Sequence, residues 1–267
     1  MLLIIEALLL ILSALGQDHR AAVERKTFPL DMAPNSVDDQ YDGCTKHMAN
    51  LVTTKYLQKE TSDSESKFSI AWKDAVNEKI PPRDGLTMNN LNAIYVYTSS
   101  DFELYKNFNN AVHKDKKKYK KKKYEWYSLH FLLTDAIQIL KKTQTNCYST
   151  VRGTNIPFKK NVQNKKVRFG SFASSSLDRK VAEFFGNVSC FEIYTCAGAD
   201  LTKYSKHPEE EEVLIPPYEK FKVTAVKKRK YQKDLWCETV FVLNSSGIRS
   251  DLNCALFKIA NETITKY

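Results

Sequence analysis

The hydrophobic period changes once along this chain, near Cys147, and that change restricts the fold more than any other feature. Before it, apolar residues recur at spacings of three and four. Met48, Leu51, Val52 and Tyr56 form one set, Phe68, Ala71, Trp72, Ala75 and Val76 a second, and Trp126, Leu129, Leu133, Ala136, Ile137 and Leu140 a third. Such spacings place an apolar stripe on one face of a helix. Helical structure is therefore expected across Tyr41–Val76, over Phe102–Val112 and over Trp126–Lys142, where Lys141 and Lys142 suit the negative end of the helix dipole. Pro81-Pro82 ends the first region, Leu86–Asn92 reads as a short helix, and Ala93–Thr98 fits a helix or a strand equally well. After Cys147 the apolar runs shorten to strand length: Cys147–Arg152, Val167–Ala173, Val188–Cys196, Glu212–Ile215, Lys220–Lys228 and Leu235–Leu243. A short helix, Leu177–Phe185, is stopped by Gly186. Helices followed by strands indicate an α+β fold rather than a doubly wound α/β sheet.

The first residues bear on the compartment. Leu2–Leu15 is apolar except for Glu6 and Ser13, and Ala14-Leu15-Gly16 supplies small residues before a polar Gln17-Asp18-His19-Arg20. This is the pattern of a cleaved secretory signal peptide over residues 1–16, although Glu6 stands where a basic residue is usual and a retained anchor is the alternative. Residues 17–267 then form a single domain with a polar C-terminal tail, long enough to bury one sizeable core. No hydrophobic tail of the kind a GPI anchor needs is seen at the end. Six cysteines, Cys44, Cys147, Cys190, Cys196, Cys237 and Cys254, allow up to three disulfides in an oxidising compartment, with the pairing open. Sequons at Asn187, Asn244 and Asn261 fit the same route.

The net charge of +10 is uneven, because Lys114–Lys123 holds eight lysines and one aspartate, which leaves +3 for everything else. A run of this kind is usually a solvated loop. Its functional reading is weak contact with a polyanion: an acidic glycan, nucleic acid or an anionic membrane surface.

A different charge pattern points to chemistry. Glu209-Glu210-Glu211-Glu212 runs into Val213-Leu214-Ile215-Pro216-Pro217, a strand that wants burial. On an extended chain, residues two apart point the same way, so Glu210 and Glu212 are expected to share a face. A solvated acidic turn is the alternative. Arg152 ends one expected strand and Ser174 ends another, so three separated elements carry polar groups suited to one site.

In order and surroundings these motifs resemble the arginine-specific mono-ADP-ribosyltransferases of vertebrate cell surfaces and secretions. They read Cys147-Tyr-Ser-Thr-Val-Arg152-Gly153-Thr154, Phe169-Gly-Ser-Phe-Ala-Ser174-Ser175-Ser176-Leu177, and Glu210-Glu211-Glu212-Val-Leu-Ile-Pro-Pro217, and the Trp126 helix is also similar. The resemblance extends from about Phe28 to Cys254. It implies an NAD-binding core of two packed sheets behind an N-terminal helical part, NAD as co-substrate, no metal, and arginine-bearing proteins as acceptors. It makes Glu212 the catalytic carboxylate facing the nicotinamide ribose, and Glu210 the group that engages the acceptor guanidinium. Arg152 becomes the cation for the NAD pyrophosphate or an adjacent ribose. Gly153 permits close approach to the nicotinamide amide, and Ser174 orients Glu212; apart from the resemblance, the serine triplet also reads as a strand-to-helix turn in which Ser176 caps the helix. One departure is Val151, where the family often has an aromatic residue. His207, on the approach to the glutamates, is a further candidate for phosphate or target protein.

The resemblance also implies Cys44–Cys254 and Cys147–Cys196 disulfides, and Cys190 and Cys237 remain for a third. The chain is expected to act as a secreted monomer that transfers ADP-ribose from NAD to arginine. The competing readings are an NAD glycohydrolase, with water in place of arginine, and a catalytically silent binding protein that uses Lys114–Lys123.

Overall fold

The computed structural model describes residues 27–99 and 101–257, so the expected signal peptide and the Asn261 sequon lie outside the described residues. Within them an N-terminal strap, residues 27–43, leads into eight helices and eight strands. Helix α1 (Thr45–Leu51) continues through a π-helical turn (Val52–Tyr56) into α2 (Leu57–Glu60). Next come α3 (Lys67–Asn77), α4 (Met88–Tyr97), α5 (Phe102–Lys114), α6 (Lys116–Lys120) and α7 (Tyr127–Lys141). The strands are β1 (Tyr148–Thr154), β2 (Lys166–Val167), β3 (Ala173–Ser176), β4 (Ser189–Thr195), β5 (Ala199–Asp200), β6 (Glu212–Ile215), β7 (Glu219–Lys228) and β8 (Thr239–Ile248), with α8 (Arg179–Phe184) between β3 and β4. The fold class is α+β.

Helices α3, α4 and α5 start where a side chain can take an orphan N–H. Ser66 accepts from Ser69, Asp101 from Glu103 and Leu104, and Thr87 forms a reciprocal box with Asn90. The ambiguous 86–98 segment is thereby one helix, and its Leu91, Ala93, Ile94, Val96 and Tyr97 are all buried. The central helix α7 has no cap of its own. The Glu60 carboxylate reaches across from α2 and accepts from the Tyr127 and Ser128 N–H groups at 2.8 and 3.0 Å. Helix α7 is buried along most of its length and forms the axis of the larger core, which also takes in Phe172, Leu201 and Leu214 from the strand half.

The strands follow the order β2-β7-β8-β4-β1-β3-β6-β5, antiparallel throughout except for the β4–β8 pair. The two packed sheets of the family resemblance are thus two halves of one ladder. The halves meet where β1 and β3 share the single pair Val151↔Ser176. They close on each other over a second core, in which Ala173 and Ile215 meet Phe191, Ile193, Phe221, Val223, Phe241 and Leu243.

Four expectations need correction. The Val167–Ala173 run is not one strand, because Arg168 is drawn inside. Its guanidinium pairs with Asp38 at 2.6 Å, both side chains fully buried, and donates to the Met32, Ala33 and Arg249 carbonyls. Asp38 also accepts from the Asp251 and Leu252 N–H groups, so one buried pair ties the strap to the last described turn. The chain then turns at Gly170 (φ +69), where a Cβ would lie 2.2 Å from that of Ala33, and re-enters the sheet at Ala173. The Lys114–Lys123 tract is not a loop: it ends α5 and forms α6, anchored by the buried Tyr119. Strand β8 begins at Thr239 rather than Leu235, since residues 229–238 form the turn back from β7. Helix α8 is capped not by Ser176 but by Asp178, which accepts from Lys180 N–H, while Ser176 Oγ accepts from Asp178 N–H. Disulfides join Cys44 to Cys254, Cys147 to Cys196 and Cys190 to Cys237.

Candidate active site

The fold brings Arg152, Ser174 and Glu212 together through sheet register alone. Strands β3 and β6 run antiparallel with Ser174 opposite Leu214 and Ser176 opposite Glu212. Strand β1 lies on the other side of β3, and the Arg152 guanidinium donates to the Ser174 carbonyl. Because β1 and β3 share only one pair, they part beyond it, and a side chain on β1 can enter the gap.

Glu212 opens β6 and is 4% exposed. Burial pushes its carboxyl up from 4.5 to about 7, and the Glu210 charge adds to that rise. Hydrogen bonding from Ser174 and the charges of Arg152 and His207 pull the other way. Glu212 Oε1 is buried without a hydrogen-bond partner. A buried carboxylate oxygen in that condition is costly, and such atoms concentrate where a ligand supplies the missing donor. Burial also opposes the Arg152 charge, but Tyr105, Tyr97 and Glu212 outweigh it and hold the guanidinium protonated.

Glu210 does not sit on the strand. Pro208–Glu210 is a 3-10 turn, and Glu211 adopts the left-handed conformation (φ 45°, ψ 49°). The expectation that two-residue alternation places Glu210 beside Glu212 is therefore corrected, since a turn sets their relation. Glu211 is exposed, and its carbonyl accepts from Leu177 N–H at 3.1 Å, tying the turn to the end of β3. The half-buried Glu210 has its carboxyl raised by burial, lowered by His207 and raised by Glu209. His207 lies 3.2 Å from Glu209 Oε1. Lys206 N–H donates to Thr98 Oγ1 at 3.0 Å, which fastens the start of this loop to α4.

Gly153 has a second reason to be glycine. A Cβ there would lie 2.2 Å from the Ala182 carbonyl and 2.4 Å from that of Gly186, so its absence lets α8 pack on β1.

Two residues of the site lie in the helical half and were not among the candidates read from sequence. Tyr97, at the end of α4, is buried, with its hydroxyl 3.4 Å from Ser174 Oγ and accepting from Asn109 Nδ2 at 3.3 Å. Tyr105, on α5, hydrogen-bonds Arg152, and its ring lies 5.3 Å from that of Tyr97. In sequence Tyr97 lies in the ambiguous 93–98 run and Tyr105 in the expected 102–112 helix, and only the packing of α4 and α5 against β3 gives their hydroxyls a polar task.

The family description "NAD:arginine ADP-ribosyltransferase" matches residues 30–239, most of the chain. This chain belongs to that family. It is similar to the erythroblast NAD(P)(+)–arginine ADP-ribosyltransferase of Gallus gallus, 36% identical over 247 residues that span 87% of this chain and 77% of the relative. It is also similar to ecto-ADP-ribosyltransferase 5 of Homo sapiens, 33% identical over 263 residues, 93% of this chain and 88% of that one. Among solved structures, the eucaryotic mono-ADP-ribosyltransferase ART2.2 superposes with a TM-score of 0.70 at 32% identity, over 85% of this chain and 98% of that one. A mutant of the same enzyme in complex with NAD superposes at 0.67 and 29% identity, with the same shares of each chain covered. The chain is thus an enzyme whose reaction is the transfer of ADP-ribose from NAD to arginine.

Proposed function

We propose that Glu212 carries this reaction. The observation behind the assignment is its buried carboxylate, which Ser174 stabilises in the charged form and whose Oε1 has no hydrogen-bond partner. In the reaction the bond between ribose C1″ and the nicotinamide nitrogen breaks, and its electron pair neutralises the pyridinium. A new bond forms from C1″ to a guanidinium nitrogen of the acceptor, which loses a proton. The ribose passes through an oxocarbenium-like state, as in glycoside hydrolysis. The unpartnered Glu212 oxygen accepts from a ribose hydroxyl and opposes the developing positive charge in a site shielded from water.

In this reading Ser174 orients Glu212, Tyr97 holds Ser174, and Asn109 in turn holds Tyr97. Arg152 supplies a fixed cation for the NAD pyrophosphate or an adjacent ribose, and Tyr105 keeps the guanidinium in place. Gly153 leaves the β1 backbone open to the nicotinamide amide. Glu210, on the more exposed side of the turn, meets the acceptor guanidinium and takes its proton. The acceptors are arginine-bearing proteins.

We also propose that the mature protein is a single catalytic domain released outside the cell as a monomer, with glycans at Asn187, Asn244 and Asn261. The apolar run Leu2–Leu15, the three disulfides and the ecto-enzyme names of relatives support that reading. Among the described residues no helix is long and apolar enough to cross a membrane.

The test is transfer of labelled ADP-ribose to an arginine-rich acceptor. Glu212→Gln is expected to lower transfer by about 10²–10³-fold, the usual cost of removing one electrostatic stabiliser. Transfer at the unaltered rate would overturn the assignment.

A further inference from the structure

Strong positive charge gathers at a second place, away from the catalytic groups. Helix α6 is fixed from inside by Tyr119, which is fully buried and donates to Asp39 at 2.8 Å. Lys117, Lys118 and Lys120 therefore face solvent, and Lys117, Lys120 and Lys121, at spacings of three and four, share one face. Lys116 and Lys118 are held by Asp251 and Asp115 at 2.7 and 3.0 Å. Among the described residues no carboxylate lies within ion-pair distance of Lys117, Lys120, Lys121 or Lys123.

The tract does not stand alone. Lys116 Nζ donates to the Pro34 carbonyl at 3.2 Å and Lys116 N–H to that of Asn35 at 3.1 Å. Pro34 is also one wall of a surface groove of about 490 Å³, whose rim carries Lys159, Lys165 and Lys166 over a floor that includes Leu30 and Val162. These lysines are far away in sequence, yet the strap joins them to α6. They stand on a rigid wall: Lys165 carbonyl accepts from Val223 N–H at 2.9 Å, Asn164 N–H donates to Val223 carbonyl at 2.8 Å, and Lys166 pairs with Lys222 across β2 and β7. Asp31 is the one carboxylate that lines the groove, and it is engaged with the Ala33 N–H at 2.8 Å.

We infer that α6 and this groove form one continuous docking surface for a sulfated polysaccharide chain. A linear polyanion needs well-spaced cations along a path and little else. Single-stranded nucleic acid gains from exposed aromatic rings that stack its bases, and firm binding to an anionic membrane adds apolar insertion to the charge attraction that lysines supply. In the tract region Tyr119 and Tyr124 are 0% and 4% exposed, and beside the groove Phe28, 46% exposed, is a single ring rather than a platform for successive bases. The surface is independent of the catalytic reading. It would hold the enzyme on an extracellular matrix while the NAD site stays free.

Surface plasmon resonance on immobilised heparin tests it, with the full-length secreted chain at about 0.15 M salt. One variant neutralises the tract (Lys117→Gln, Lys120→Gln, Lys121→Gln, Lys123→Gln) and another the groove (Lys159→Gln, Lys165→Gln, Lys166→Gln). Each is expected to weaken heparin binding at least tenfold, to reduce the salt dependence of log Kd, and to leave NAD cleavage unchanged, which reports an intact fold. Desulfated heparin is expected not to compete. The inference is overturned if the groove variant binds heparin like the parent, if desulfated heparin competes equally, or if single-stranded oligonucleotide or phosphatidylserine vesicles bind more tightly than heparin.

Discussion

Glu212→Gln separates the cost of the site from its use. In the unfolded chain this carboxyl titrates near 4.5, and in the folded chain burial moves it to about 7. A folded-state value above the unfolded one means that the folded protein binds the proton more tightly. Stability associated with this group is therefore fully present below about pH 4.5 and is lost as pH rises through about 7. At about 1.4 kcal/mol per pH unit, the interval between 4.5 and about 7 amounts to roughly 3–4 kcal/mol, taken as a ceiling. Glutamine has nearly the same shape and no charge, so it escapes this loss. The prediction is that Glu212→Gln gains stability relative to the parent by up to about 3–4 kcal/mol between pH 4.5 and pH 8. For a domain of this size that is a relative rise of up to roughly 6–16 °C in Tm. Denaturant unfolding followed by tryptophan fluorescence, disulfides intact, measures both proteins across that range. A stability difference that stays constant with pH would refute the reasoning, because it would mean that the folded site carries the Glu212 charge as easily as water does.

The remaining predictions concern activity and packing. With the ionised form of Glu212 as the working form, kcat/KM for NAD cleavage should rise through about pH 7 and then level off; a flat profile from pH 5.5 to 8.5 would contradict this. In Glu210→Gln, transfer to arginine should fall well before NAD cleavage does, and equal loss of both, measured by acceptor labelling and nicotinamide release, would remove its acceptor role. Gly153→Ala should destabilise the fold by about 1–3 kcal/mol, the usual cost of overpacking, because the new methyl would sit 2.2 Å from the Ala182 carbonyl. An unchanged denaturation midpoint would show that α8 can move aside freely.

Lys114–Lys123 shows how a correct local reading can stop short. Its charge was plain, but its helical form depended on Tyr119 finding a buried site, and its neighbours Lys159, Lys165 and Lys166 are more than thirty residues away. Arg168 is a similar case. In sequence it lies within an apolar run that favours a strand. In the structure it is buried against Asp38, a partner supplied by a distant segment. Tyr97 lies in a run that fits a helix or a strand and Tyr105 in an expected helix, and nothing local marks their hydroxyls as parts of a site.

By itself the sequence determined whatever depends on near neighbours. The change from helical to strand period near Cys147 set the α+β class, and the order Arg152, Ser174, Glu210-x-Glu212 marked the candidate site. Tertiary structure alone decided the rest. Sheet register placed Ser176 opposite Glu212 and put Arg152 against Ser174. A left-handed Glu211, not strand alternation, set Glu210 apart from Glu212. Burial from every side left Glu212 with an unpartnered oxygen and a raised pKa. The physical reason is one of range: hydrophobic period and turn chemistry act over a few residues, whereas desolvation and charge coupling depend on elements that meet only when the chain has folded.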